Sequence, residues 1–309
     1  MKRNILARRA ASAALAACMM FTLSAPALAE STDALLQQST AAKSAVSVLD
    51  EENGMTEEPV YDEMNLNRGS ITVYIGDDGK QYAKQGDNEA QQRGNLSITT
   101  NGGQTHNTIT IKGGTTGAKV TLSNVNINAS GAAVSVSGNV ELVITGTNTL
   151  RSGTDRAGLE KADDDGTLTI SGTGTLEAYG GQGGAGIGSG SQKGCSNIVI
   201  ESGTITVHGG EWGAGIGSGN VGNRPGVLGG SYITINGGDV TAYGGSEAAG
   251  IGGGLKGNGK DITINGGTVH AESGGGEKVA AIGGGRVNGK GENIQITGGN
   301  VTVKSGTGV

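Results

Sequence analysis

The feature that most constrains this chain is a glycine-framed isoleucine that returns at long, nearly regular intervals. It occurs as Ala185-Gly186-Ile187-Gly188-Ser189-Gly190, Ala214-Gly215-Ile216-Gly217-Ser218-Gly219, Ala249-Gly250-Ile251-Gly252-Gly253-Gly254 and Ala281-Ile282-Gly283-Gly284-Gly285, the isoleucines falling 29, 35 and 31 residues apart. Between these copies run two further aliphatic alternations. The first is Leu168-Thr169-Ile170, Ile198-Val199-Ile200, Ile233-Thr234-Ile235, Ile262-Thr263-Ile264 and Ile294-Gln295-Ile296; the second recurs at Leu176, Ile205, Val240, Val269 and Val301. Alternation with period two sends the aliphatic residues to one face of a strand. Three short strands with glycine corners cannot bury a face alone, so successive copies must stack, each strand pairing in parallel with its copy one repeat on. The chain therefore predicts an all-β fold, a parallel β-helix with three short strands per rung. Its right hand follows from the chirality of parallel crossover connections and not from any one residue.

The same pattern is looser in Ile109-Thr110-Ile111, Val120-Thr121-Leu122, Val125-Asn126-Ile127, Val134-Ser135-Val136 and Leu142-Val143-Ile144, which places the repeats over 94–309. Ahead of them, Ile71–Ile75 and Gln81–Ala83 flank Asp77-Asp78-Gly79, a hairpin signal, so residues 69–93 are expected to form a partial rung or N-terminal cap. The corners swell at 191–197, 220–232, 255–261 and 286–293, each after the Gly-Ile-Gly strand, and are expected to project from one edge, where solenoids often carry binding loops. The last strand ends just before Val309 without a polar cap, which reads as a truncated solenoid with an open edge.

The start of the chain reads as an address. Lys2, Arg3, Arg8 and Arg9 precede an apolar run from Ala10 to Leu23, and Ala27-Leu28-Ala29 follows. This is a secretory signal peptide over 1–29, cleaved after Ala29; Leu15-Ala16-Ala17-Cys18 also has the form of a lipidation site. Residues 30–68 are polar and acidic and read as a flexible leader. The run is too short for a spanning helix of about 20 residues and no other segment approaches that length, so no transmembrane segment is expected after signal removal. Cleavage takes the formal charge from −6 to −10, since it removes four basic and no acidic residues. So acidic a chain excludes nucleic acid as the expected partner. Only Cys195 then remains, so an exported chain, extracellular or held at a bacterial surface, does without an internal disulfide. The 62 glycines carry no G-X-Y period and come with three prolines, which excludes collagen.

Three stretches carry a family resemblance: Lys119-Val120-Thr121-Leu122-Ser123-Asn124-Val125-Asn126-Ile127, Gly146-Thr147-Asn148-Thr149-Leu150, and Gly166-Thr167-Leu168-Thr169-Ile170-Ser171-Gly172-Thr173-Gly174-Thr175-Leu176. They resemble the carbohydrate-binding β-helix domains of clostridial and gut-bacterial surface proteins, over roughly residues 95 to 305. The resemblance implies a β-helix that binds polysaccharide. Members of that family carry Asp-Asp-Gly-Ile, implicated in calcium binding, where this chain has Gly-Ala-Gly-Ile. No metal ligand is carried over, and no cofactor is implied.

Stacking in register turns each outward position into a ladder spaced by about 4.8 Å, the separation of paired strands. The ladder closing the second strand is Tyr179, His208, Tyr243, Glu272 and Lys304, whose rings would offer flat faces with polar tips to sugars; outward aromatics also simply favour strands. Trp212, in the next glycine corner, is a further stacking candidate. Lys193, Arg224, Lys256, Lys260, Arg286 and Lys290 in the swollen corners form a basic ridge on which an anionic polymer would dock, though such charges also merely solubilise loops. Gly186, Gly215 and Gly250 are expected to point outward as a side-chain-free strip, or to serve tight turning. Asn236 and Asn265 occupy equivalent corners and suit an asparagine ladder. A threonine ladder of Thr206, Thr241 and Thr302 is broken by Glu177 and His270.

For chemistry the residues offer little. Asp163-Asp164-Asp165 precedes a glycine, as a solvated turn does, and His106, His208 and His270 lack metal-binding spacing. No catalytic residue is assigned. The expected function is a non-catalytic, adhesin-like module holding an extended polysaccharide along one face. The alternatives are a structural stalk and a polysaccharide lyase or hydrolase.

Overall fold

The computed structural model describes residues 62–161, 165–223 and 229–306. The expected signal peptide, residues 30–61 of the expected leader, Arg224 and Asp163-Asp164 lie outside the described residues. Within them the chain is a right-handed parallel β-helix whose turns visit three sheets in the order A, C, B. Sheet A stacks nine strands from Asp62–Asn65 to Gly291–Ile296, and sheet C stacks eight from Gln104–Thr105 to Asn300–Lys304. Sheet B runs from a hairpin at its N-terminal edge to Ile282–Gly283. Among the described residues no helix is long and apolar enough to cross a membrane.

The register is the one that the repeats imply. In sheet A, Leu168, Ile198, Ile233, Ile262 and Ile294 pair in succession, and in sheet C so do Leu176, Ile205, Val240, Val269 and Val301. Ile187, Ile216, Ile251 and Ile282 line up in sheet B. Alternate residues point inward, so the aliphatic columns meet along the axis as one continuous core. Each such side chain withdrawn from water contributes about 1.5–3 kcal/mol, which is how repetition holds the turns together.

One inward position breaks the column. Asn148 pairs in register with Leu176 yet is fully buried, and its amide satisfies backbone groups: Oδ1 accepts from the Val125 N–H at 3.0 Å, while Nδ2 donates to the Thr145 carbonyl at 2.9 Å. At the corner between sheets A and C the expected amide ladder forms. Asn265 Nδ2 donates to Asn236 Oδ1, and Asn236 Nδ2 donates to Glu201 Oε1, each at 2.9 Å.

Three expectations change. The first turn begins earlier than residue 94, because Asp62–Asn65 pairs in parallel with Leu96–Thr99, and Leu66 is fully buried. Residues 62–68 therefore belong to the solenoid and not to a leader; a lone edge strand with Met64 as its apolar residue, followed by a single turn that buries Leu66, is too short to show a period. Ile71–Ile75 pairs in parallel with Ile109–Lys112 and antiparallel with Gln81–Gln85, so the hairpin belongs to sheet B and closes its edge.

In their described residues the swollen corners fold back and do not simply project. After each sheet B strand the chain doubles back, Ala185, Ala214 and Ala249 donating to the carbonyls of Ser189, Ser218 and Gly253. It then lies on the preceding corner, where Ser191, Asn220, Leu255 and Arg286 donate to the carbonyls of Asp155, Gly183, Trp212 and Glu247. Sheet A strands also extend into these corners, taking in 229–232, 258–261 and 291–293. The return loops cover the outside of sheet B, and Gly188, Ser189, Gly217 and Ser218 are buried there.

The glycine strip is likewise inside. A Cβ on Gly186, Gly215 or Gly250 would lie within 3.0 Å of the backbone nitrogen of His208, Tyr243 or Glu272 respectively. These glycines let sheet B approach sheet C more closely than any side chain would permit, the tight-corner role and not an open strip.

Candidate functional site

The outer face of sheet C is left uncovered, as is that of sheet A, whose outward Glu141, Thr169, Val199, Thr234 and Thr263 are also part-exposed. The outward residues of sheet C form three columns. The first is Thr147, Thr175, Thr204, Asp239, Thr268 and Asn300; the second is Thr149, Glu177, Thr206, Thr241, His270 and Thr302; the third is Arg151, Tyr179, His208, Tyr243, Glu272 and Lys304. All of these residues are partly or fully exposed. Both ladders read from the sequence are thus present in the expected order.

The third column is not a row of free aromatic faces. Tyr179 and His208 stack with centroids 4.7 Å apart and planes 3° apart, and His208 and Tyr243 stack at 4.8 Å and 14°. The Arg151 guanidinium carbon lies 3.6 Å from the Tyr179 ring centre, closing the other face of that ring. His270 meets Tyr243 edge-on at 6.1 Å. Strand spacing sets this, since flat rings on neighbouring strands fall at the separation at which rings stack. What the ladder presents outward is a row of ring edges and polar tips. Arg151 escaped the sequence reading because its rung is one of the irregular early ones; counting back from Tyr179 in register would have found it.

Several charges on this face are tied to neighbours. The Tyr179 hydroxyl donates to Glu177 Oε2 at 3.1 Å. Burial between the tyrosines holds His208 below the ordinary histidine range; the Glu177 carboxylate opposes this and Arg151 adds to it. Lys304 Nζ donates to Glu272 Oε1 at 2.9 Å, and that hydrogen bond is the main reason the Glu272 carboxyl sits below its usual range.

Trp212 is half-buried in the turn between sheets C and B and makes no ring contact with Tyr179 or Tyr243. Its backbone is a rung of the loop stack, the N–H donating to Gln182 O and the carbonyl accepting from Leu255. Four of the described basic corner residues have polar partners of their own. Lys193 reaches the buried Glu160 at 3.8 Å, Lys260 reaches Asp261 at 3.9 Å, Arg286 pairs with Glu247, and Lys256 donates to Asn223 at 2.8 Å. Lys290 sits where the return loop meets sheet A, with its carbonyl accepting from Gly259. Among the described residues no cluster of His, Cys, Asp and Glu is arranged to hold a metal ion.

Four segments, residues 168–191, 198–220, 233–255 and 262–286, match the family model for the beta helix repeat. Each begins at a sheet A strand and ends in the return loop after sheet B, so the matched unit is one turn of the solenoid. No curated protein and no solved structure matches the chain.

Proposed function

We propose that the protein is a non-catalytic, extracellular binding module that holds an extended polysaccharide along the outer face of sheet C. The observation that carries this reading is the uncovered face itself: threonine hydroxyls and tyrosine tips repeat along the axis at strand spacing, a period of about 4.8 Å, where a polymer running parallel to the axis would meet a donor or acceptor at every rung. The face works by edges, because the ring faces are used up by one another. Hydroxyls act as both donors and acceptors, which suits sugar hydroxyls and asks for no charge on the ligand. The ion-paired state of Lys193, Lys260 and Arg286 takes support away from docking of an anionic polymer on the corners.

The test is a binding and product assay of the purified full chain against insoluble and soluble polysaccharides, neutral and acidic. Binding without new reducing ends or unsaturated products is expected. Tyr243→Phe, which keeps the ring stack and removes one hydroxyl, and Thr206→Val combined with Thr241→Val should each weaken binding several-fold. Retention by no polysaccharide would reject the module and favour a structural stalk, a role that the mutual stacking of the ladder also suits.

A further inference from the structure

In four successive turns the residue immediately before the sheet A core strand is left-handed: Asn197 at φ 58°, Tyr232 at 50°, Asp261 at 51° and Asn293 at 51°. The cause is a bulge repeated in register. Ser231 pairs with Lys260 and Ile233 with Ile262, while Tyr232 and Asp261 between them stand out of the ladder; Asp261 and Asn293 repeat this one turn on. Asparagine and aspartate tolerate that conformation because their short polar side chains hydrogen-bond locally. A bulky tyrosine does not, and strained residues of this kind concentrate where a side chain is needed for contact.

Tyr232 is also the most exposed aromatic residue described, at 56%. The other exposed large apolar residues, Val287, Ile294, Ile296 and Val303, all belong to the last turn or the loop leading into it. The Tyr232 ring makes no ring or cation contact among the described residues, unlike the rings of Tyr179, His208 and Tyr243. One turn on, at about one strand spacing of 4.8 Å, stands the Asp261 carboxylate. It accepts from Asn293 Nδ2 and has Lys260 Nζ at 3.9 Å. A carboxylate offers about four lone-pair sites, so Asp261 retains capacity to accept from hydroxyls. Lys260 balances its charge.

We infer that Tyr232, Asp261 and Asn293 form a second sugar-contacting site, on the sheet A edge, that takes a neutral pyranose: the ring's C–H face on Tyr232 and its hydroxyls on the carboxylate and amide. The inference rests on the polysaccharide reading but not on sheet C. The site offers a uronic acid no cation of its own, since Lys260 is already paired with Asp261, and so it suits a neutral sugar better.

The experiment is calorimetric titration of the full chain with soluble neutral hexasaccharides of glucose, mannose and xylose, and with an oligogalacturonate of the same length. Tyr232→Asn fills the left-handed position with a residue suited to it, so its melting temperature should rise by about 2–4 °C while affinity for a neutral hexasaccharide falls at least tenfold. Tyr232→Phe should bind within about threefold of the parent, and Asp261→Asn should bind more weakly. Unchanged affinity in Tyr232→Asn, with loss in Tyr243→Phe, would overturn this site and leave the sheet C reading standing. Binding confined to the oligogalacturonate would overturn the neutral-sugar assignment, and no binding to any saccharide would overturn both readings.

Discussion

The imidazole of His208 lies stacked on the phenol ring of Tyr179, with centroids 4.7 Å apart and planes 3° from parallel, and on its other side is Tyr243. The sandwich favours the neutral imidazole, chiefly through burial. A histidine whose folded pKa lies below its unfolded value of 6.5 is protonated more readily in the unfolded chain, so stability should be full above pH 6.5 and fall as pH drops below it. Urea midpoints measured from pH 8 to 5 should show this slope, and His208→Phe, which keeps the stack, should flatten it. An unchanged slope in that variant would show that another group is responsible. The Glu272 contribution is separable, since its carboxyl is depressed from 4.5 and its loss belongs to lower pH.

Glu160 is fully buried, its Oε2 accepting from the Ala157 N–H at 3.1 Å and its Oε1 lying 3.0 Å from the Arg156 guanidinium at an angle that gives an ion pair without a directed hydrogen bond. Arg156 and Lys193 both reach water, which screens much of the pairing. Glu160→Ala should destabilise by about 1–3 kcal/mol, mostly from the unmet Ala157 N–H. Arg156→Ala should cost more than Lys193→Ala, because it leaves the buried carboxylate to the more distant cation. Denaturant titration of the three variants gives the order.

Gly188 has φ 138°, and a Cβ there would fall 1.8 Å from the carbonyl oxygen of Gly217 in the next turn. Gly188→Ala must push two turns apart and should destabilise by about 3 kcal/mol. At Gly131 nothing lies within 4 Å of a built Cβ, so Gly131→Ala should be neutral or stabilising by up to about 1 kcal/mol. Thermal melts of this pair separate glycines required by stacking from glycines that merely turn the chain.

Asn148→Leu restores the aliphatic column of Leu176 and Ile205, and on pattern alone should help. It should instead destabilise by about 1–3 kcal/mol, because the Val125 N–H loses its acceptor inside the core. A higher urea midpoint than the parent's would show that core filling outweighs that hydrogen bond.

The columns of the core were legible because they depend on two periods that a sequence displays openly, alternation along a strand and recurrence from turn to turn. From those alone the residues facing inward follow, as does the order Tyr179, His208, Tyr243, Glu272, Lys304 on the outside. The first turn was not legible: Met64 and Leu66 have too few neighbours to make a pattern, and their burial depends on strands more than 30 residues away. Tyr232 was passed over for a related reason. In the sequence it sits in a swollen corner beside glycines, and only the repeated bulge shows that it occupies a place that suits asparagine.

Sequence by itself determined the fold, the register and the identity of each ladder, because in a solenoid every turn contacts its neighbours through equivalent positions and periodicity is geometry. Tertiary structure decided what those ladders present. Whether a ring offers its face or only its edge, as at His208, depends on the few ångströms between strands. Whether Gly186 lies outside or within depends on how closely two sheets approach, and whether Lys193 is free or paired depends on a loop folding back over Glu160. Those are matters of distance between residues remote in the chain, which no spacing along it encodes.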